Sequence, residues 1–179
     1  MGDIPVHLEP NSFSVQREAY TAALARCTRQ RLQIARKALQ TLSALMHVEK
    51  TDVVRDAAIQ RFEYSFEAVW KAAQRFLVDM EGIQAGSPKR VIRESRLVEL
   101  LDETATRRAL AMTDDWNLTV HTYNEALADA IFERLPGYAQ LMDGWLGSME
   151  KRWVESFEPR AEKEEEEASP SDDARQASD

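Results

Sequence analysis

The sequence is short of the residues that make covalent or metal-held folds. It has one cysteine in 179 residues, so no internal disulfide can form and nothing favours an oxidising compartment. One cysteine also excludes a Cys/His zinc site. The three histidines, His7, His47 and His121, follow Ile4, Ala44 and Leu118 at three residues' distance, so the Glu-x-x-His pairs of di-metal bundles are missing. There is no Gly-rich phosphate loop, neither G-x-x-x-x-G-K-[ST] nor G-x-G-x-x-G, and no G-x-S-x-G turn. No cofactor or metal motif is therefore expected. No run of 18 apolar residues is present, which argues against a membrane span. The N-terminus, MGDIPVHLEPNSF, lacks the basic start and apolar centre of a secretory signal, and Val6 stands where a myristoylation signal needs Ser or Thr. A cytoplasmic protein is expected. Cys27, set among apolar helical residues, is expected to be a small core residue.

Charge is abundant but uneven. The net charge is -8, and the last 22 residues, Glu158 to Asp179, carry nine acidic and three basic side chains. The remainder is close to neutral and offers no global basic field to hold nucleic acid. An RNA contact, if there is one, must come from a local patch or a partner.

What is there is helical periodicity. Glycine is scarce, and no segment alternates with a period of two. The first helix is expected from Ser14 to just before His47, with Leu32, Ala35, Leu39, Leu42 and Met46 three or four residues apart. Arg26, Arg29, Arg31, Arg36 and Lys37 decorate it. The second runs from Thr51 or Asp52, both good N-caps, to Met80. Its stripe is Phe62, Phe66, Val69/Trp70, Ala73, Leu77 and Met80, the spacing of a core face. Ser87-Pro88 marks a new start, and a third helix to Leu101 buries Val91, Ser95 and Val98. A fourth follows a turn at 102–104 and reaches about His121. A fifth begins near Asn124 and buries Leu127, Ile131, Leu135, Tyr138, Met142, Trp145 and Met149. Pro136 inside it is expected to kink or divide the helix. The architecture implied is all-α, an antiparallel up-and-down bundle of four or five helices, with no sheet. It divides as an N-terminal extension (1–13), the bundle (14–157) and an acidic tail (158–179). The tail lacks aromatics and is expected to be disordered.

Two stretches go beyond periodicity: RDAAIQRFEYSFEAVWK (55–71), continued by GSPKRVIRES (86–95), and DDWNLTVHTYNE (114–125). In this order and spacing they resemble the nucleotidyltransferase substrate-binding family, a HepT-like branch of the HEPN superfamily of helical bundles. The resemblance spans about Ser14 to Met149. It implies a homodimer encoded beside a minimal nucleotidyltransferase and bound to it, as in two-component, toxin–antitoxin-like systems. Related HEPN proteins are metal-independent ribonucleases that use an arginine followed a few residues later by histidine. In the toxin branch the motif extends to His-x-Tyr, and the partner can adenylylate that tyrosine.

Here His121-Thr122-Tyr123 matches His-x-Tyr, and Asn117 matches the polar residue after the arginine, but the arginine position is Trp116. Metal-free RNA cleavage needs a proton-transfer group, which a histidine with its free pKa of ~6.5 supplies. It also needs a cation to meet the charge on the phosphorane, and a tryptophan cannot neutralise phosphate. Loss of one such donor costs ~10²–10³ in rate. The expectation is a binding subunit that is not catalytic alone; the alternative is a ribonuclease toxin with His121 as acid/base. On a continuous helix, Asp114, Asn117 and His121 would share a face, with Asp114 or Asn117 orienting the imidazole. Tyr123 is a modification acceptor if exposed, or an ordinary buried aromatic. Glu63, Glu67 and Lys71 form an i,i+4 row, which is either a solvated ion-pair stripe or a polar face towards a partner. Arg55, Arg61 and Arg93 are surface arginines or partner contacts.

Overall fold

In the computed structural model, residues 10–157 are described. They form α1 (Pro10–Leu45), α2 (Asp52–Glu81), α3 (Pro88–Leu97), α4 (Glu103–Leu118), a 3-10 turn (Thr119–His121) and α5 (Glu125–Phe157). No strand occurs among the described residues. The expected disorder of the acidic tail concerns residues outside this span.

Local chemistry sets the helix ends. The Thr51 hydroxyl accepts from Val54 N–H at 3.2 Å, Asp102 Oδ1 from Ala105 N–H at 2.7 Å, and Asn124 Oδ1 from Leu127 N–H at 3.2 Å. Ser87 precedes Pro88 as expected, though its side chain makes no capping bond. Gly82 closes α2 with φ +68°, and Ile83 N–H returns to the Leu77 carbonyl at 2.9 Å. α3 ends at Leu97, earlier than the expected Leu101, because Glu99 takes a left-handed φ of 61°. Leu100 N–H then reaches back to Ser95 O, and Leu100 and Leu101 enter the core from the turn.

Side-chain pairs fix the directions. Thr28 meets Asp79, Ser65 meets the Ala38 carbonyl, and Arg61 meets the Thr41 carbonyl, so α1 and α2 are antiparallel. Arg55 meets Asp129, Phe62 stacks on Tyr138, and Arg152 bonds Glu81, so α5 runs parallel to α2. Arg108 bonds Gly137 O and Arg134 bonds Asp115, so α4 is antiparallel to α5. The helices α1, α2, α4 and α5 thus alternate up and down. Before α3, Gln74 Nε2 donates to Ala85 O at 2.6 Å and holds the 82–87 segment back along α2.

The expected stripes form the core, except that Met46, Met80, Val98 and Leu127 are only half-buried at its edge. Leu32, Ala35, Leu39 and Leu42 of α1 face Phe62, Phe66, Val69 and Leu77 of α2 and Ile131, Leu135, Met142 and Trp145 of α5 in one buried cluster. Burying this much apolar side chain is the main drive to fold, worth about 1.5–3 kcal/mol for each large residue. Two expectations need correction. Cys27 is exposed. The α1 stripe continues back from Leu32 to Thr28, one turn away, and this leaves Cys27 off the core face; Thr28 is fully buried and donates to Asp79 Oδ2 at 2.6 Å. Pro136 does not divide α5, which runs unbroken to Phe157. It sits exposed on the outer face, while Leu135, Tyr138 and Ala139 beside it are buried and keep the helix seated.

Candidate functional site

The middle of α2 and the far end of α4 meet at a groove of about 420 Å³, within the size of small-molecule sites. α2 contributes Glu63, Tyr64 and Glu67; the end of α4 and the following turn contribute Trp116, Asn117, Thr119 and Val120. Helical spacing explains the α2 side. Glu63 and Glu67 are one turn apart, beside the buried stripe of Phe62 and Phe66, so their carboxylates stand at the rim of the core.

Trp116 is the wall of the groove. Its ring lies 5.3 Å from that of Phe66 at 54°, Phe66 is 6.3 Å from Phe62, and Phe62 stacks on Tyr138 at 5.6 Å. This aromatic row joins the groove to the middle of α5. The Thr119 hydroxyl, in a buried residue, donates to the Trp116 carbonyl at 2.8 Å and ties the 3-10 turn to the helix before it. Glu67 Oε2 accepts from the Trp70 indole N–H at 2.7 Å, and Lys71 Nζ stands 4.1 Å over the Trp70 ring.

Of the residues singled out in the sequence, the groove unites Glu63, Glu67, Trp116 and Asn117. Asp114 lies elsewhere, with Lys89 Nζ donating to its Oδ1 at 2.5 Å. The continuous helix that a shared face of Asp114, Asn117 and His121 requires ends before His121. α4 stops at Leu118 and the chain tightens into a 3-10 turn, so the 3.6-residue spacing no longer carries His121 into line. The imidazole is exposed and, among the described residues, takes no hydrogen bond; its ring meets Tyr123 edge-on at 5.9 Å. Tyr123 is 85% exposed, which removes the buried-aromatic reading. Arg55, far from a free surface contact, is buried among Asp52, Asp56 and Asp129, and the Asp56 hydrogen bond raises its pKa further.

Sequence reasoning misses Asp115. Arg134 donates to both of its oxygens, at 2.6 and 3.0 Å, and the Tyr138 hydroxyl donates to Oδ2 at 2.6 Å. Burial, then the Asp115 hydrogen bond, push the Tyr138 phenol up to about 12. This triad sets the register of α4 on α5 and so places Trp116, the next residue, over the groove. The place of Asp115 beside Asp114 is visible in the sequence, but its partner on α5 is a tertiary fact.

Among the described residues, no group of three or more His, Cys, Asp or Glu could hold a metal ion, and no helix is long and apolar enough to cross a membrane. The geometry is that of a helical bundle with an aromatic, carboxylate-bearing groove near the turn after its fourth helix. The chain belongs to the nucleotidyltransferase substrate binding protein like family, whose model matches residues 30–151. It is similar to a Thermus thermophilus protein of solved crystal structure, at 58% identity over 64% of this chain and 98% of that one, with a TM-score of 0.63. It also shares its fold with a Haemophilus influenzae protein, described as revealing the fold of a substrate binding domain of a nucleotidyltransferase. That likeness is 20% identical, covers 66% of this chain and 98% of the other, and has a TM-score of 0.55. Among curated proteins, none matches the chain.

Proposed function

We propose that the chain is the substrate-binding subunit of a two-component, toxin–antitoxin-like nucleotidyltransferase, with the groove beside Trp116 as the place where the substrate sits. A separate minimal nucleotidyltransferase supplies nucleotide and metal chemistry. This chain, as a cytoplasmic homodimer, supplies recognition. Family membership supports the role, and one observation carries it to the groove. The position where a metal-free nuclease would need arginine holds Trp116, turned onto Phe66 and walling a cavity of ligand size. An arginine's task is to meet phosphate; an indole packed this way shapes a pocket.

An exposed apolar patch adjoins that groove: Leu118 at 40%, Val120 at 73% and Tyr123 at 85% exposure. Three exposed apolar side chains within six residues, one of them lining the groove, suit a protein contact. A catalytic subunit seated there would bring its active site to the groove's mouth. The same placement would present Tyr123 to it. The ribonuclease reading built on His121 gains nothing comparable, since the imidazole has no orienting partner among the described residues and Asn117 faces the groove instead.

Co-expression with the minimal nucleotidyltransferase that this reading places beside the gene tests it. A complex that survives size-exclusion chromatography, with light scattering giving two copies of this chain, is expected. Separate elution of the two proteins at micromolar concentration would refute it.

A further inference from the structure

The lining of the groove carries two carboxylates, Glu63 and Glu67, and no cation. They sit one helical turn apart, where like charges oppose each other. Glu67 gives one oxygen to the Trp70 indole, and Glu63 makes no hydrogen bond or ion pair among the described residues. Lys71, the nearest helical neighbour of opposite sign, is drawn over the Trp70 ring instead. Both carboxylates are half-buried beside aromatic walls, where water screens them less than on an open surface. Opposite them stand Trp116 and the Val120 side chain.

Building on the substrate-binding role proposed for the chain, we infer that the groove binds a small organic cation, a primary amine or guanidine on a flat apolar body. Glu63 and Glu67 face the charge, and Trp116 faces the body. An ammonium between two carboxylates removes their mutual repulsion. An indole face beside it adds cation–π and stacking attraction. The same lining repels phosphate, so the nucleotide belongs to the partner and the acceptor to this chain. The two halves of a transfer reaction are thereby kept in separate proteins.

Isothermal titration of the full-length chain tests this with three probes: phenethylamine, the uncharged 2-phenylethanol and the anionic AMP. Phenethylamine is expected to bind at least tenfold more tightly than 2-phenylethanol. The double variant Glu63→Gln, Glu67→Gln is expected to erase that preference. Glutamine still accepts from the Trp70 indole, so the fold is kept, and an unchanged melting temperature verifies it. Equal binding of amine and alcohol, an amine preference that persists in the double variant, or no amine binding at all overturns the inference. Tighter binding of AMP or of the alcohol, abolished by Trp116→Ala, would overturn the cation class and leave the substrate groove standing. Failure of the chain to join the nucleotidyltransferase would instead overturn the substrate-binding role itself.

Discussion

The Tyr138 hydroxyl donates to Asp115 Oδ2 at 2.6 Å, and this bond holds α4 against α5 one residue before the tryptophan that walls the groove. Tyr138 is 7% exposed, stacked on Phe62, and its phenol is held up to about 12 by burial and by the carboxylate it serves. A phenol with a raised folded pKa keeps its proton longer in the folded chain than in the unfolded one. Its stabilising share is therefore complete below pH ~10 and is lost as pH climbs from there towards 12.

Tyr138→Phe removes the bond and leaves Asp115 to Arg134 alone. We expect a loss of about 1.5–3 kcal/mol at pH 8, in the range for a hydrogen bond to a charged acceptor. The variant should also lose less stability than the wild type between pH 9.5 and 11.5. Urea unfolding at the two pH values measures both. Equal pH dependence of the two proteins would show that the phenol does not titrate as described.

Trp116→Arg restores the residue type that a metal-free nuclease motif asks for, and the structure gives it no useful place. The ring it replaces contacts Phe66 and stands over the core. Losing the aromatic pair and part of its buried area should cost about 1–3 kcal/mol. RNA cleavage by the purified variant should remain at background. Appearance of a nuclease activity that His121→Ala abolishes would reverse the assignment of the site.

What is legible in the sequence depends on the range of each interaction. The Phe62–Phe66–Trp70 face of α2 and the Ile131–Leu135–Met142 face of α5 are readable, because helical burial repeats every three to four residues. Glu63, Glu67, Trp116 and Asn117 stand out in the sequence, but the meeting of the two glutamates with Trp116 and Asn117 in a groove depends on how α4 lies on α2. The place of His121 escapes sequence reasoning because nothing between Leu118 and His121 announces a helix stop. No Gly or Pro stands there, and the turn is held by the Thr119 side chain bonding back to Trp116. Pro136 does not divide α5, since a proline on the outer face loses a donor that tertiary packing around it outweighs.

Gly82 isolates a backbone effect. Its φ is +68°, and an added Cβ would meet nothing within 4 Å. Gly82→Ala therefore adds no clash, only the cost of a side chain in the left-handed region, about 1 kcal/mol. Thermal unfolding should show a lower midpoint with groove binding unchanged. A neutral result would mean that the end of α2 relaxes to another cap.

Val120→Asp separates docking from folding. Val120 is 73% exposed and lies where the groove opens onto the patch of Leu118 and Tyr123. A charge there replaces no buried contact, so stability should change by no more than about 0.5 kcal/mol. A partner seated on the patch would have to desolvate that carboxylate without a cation to meet it. Affinity for the nucleotidyltransferase should then fall by about tenfold or more, the loss that follows when more than ~1.4 kcal/mol of contact is removed. Surface plasmon resonance with the immobilised partner measures the change, and Val154→Asp, at an exposed position on α5, serves as the control. If both variants weaken binding alike, the effect is one of net charge. If neither does, the partner sits on another face, and the groove must receive its substrate without that subunit covering it.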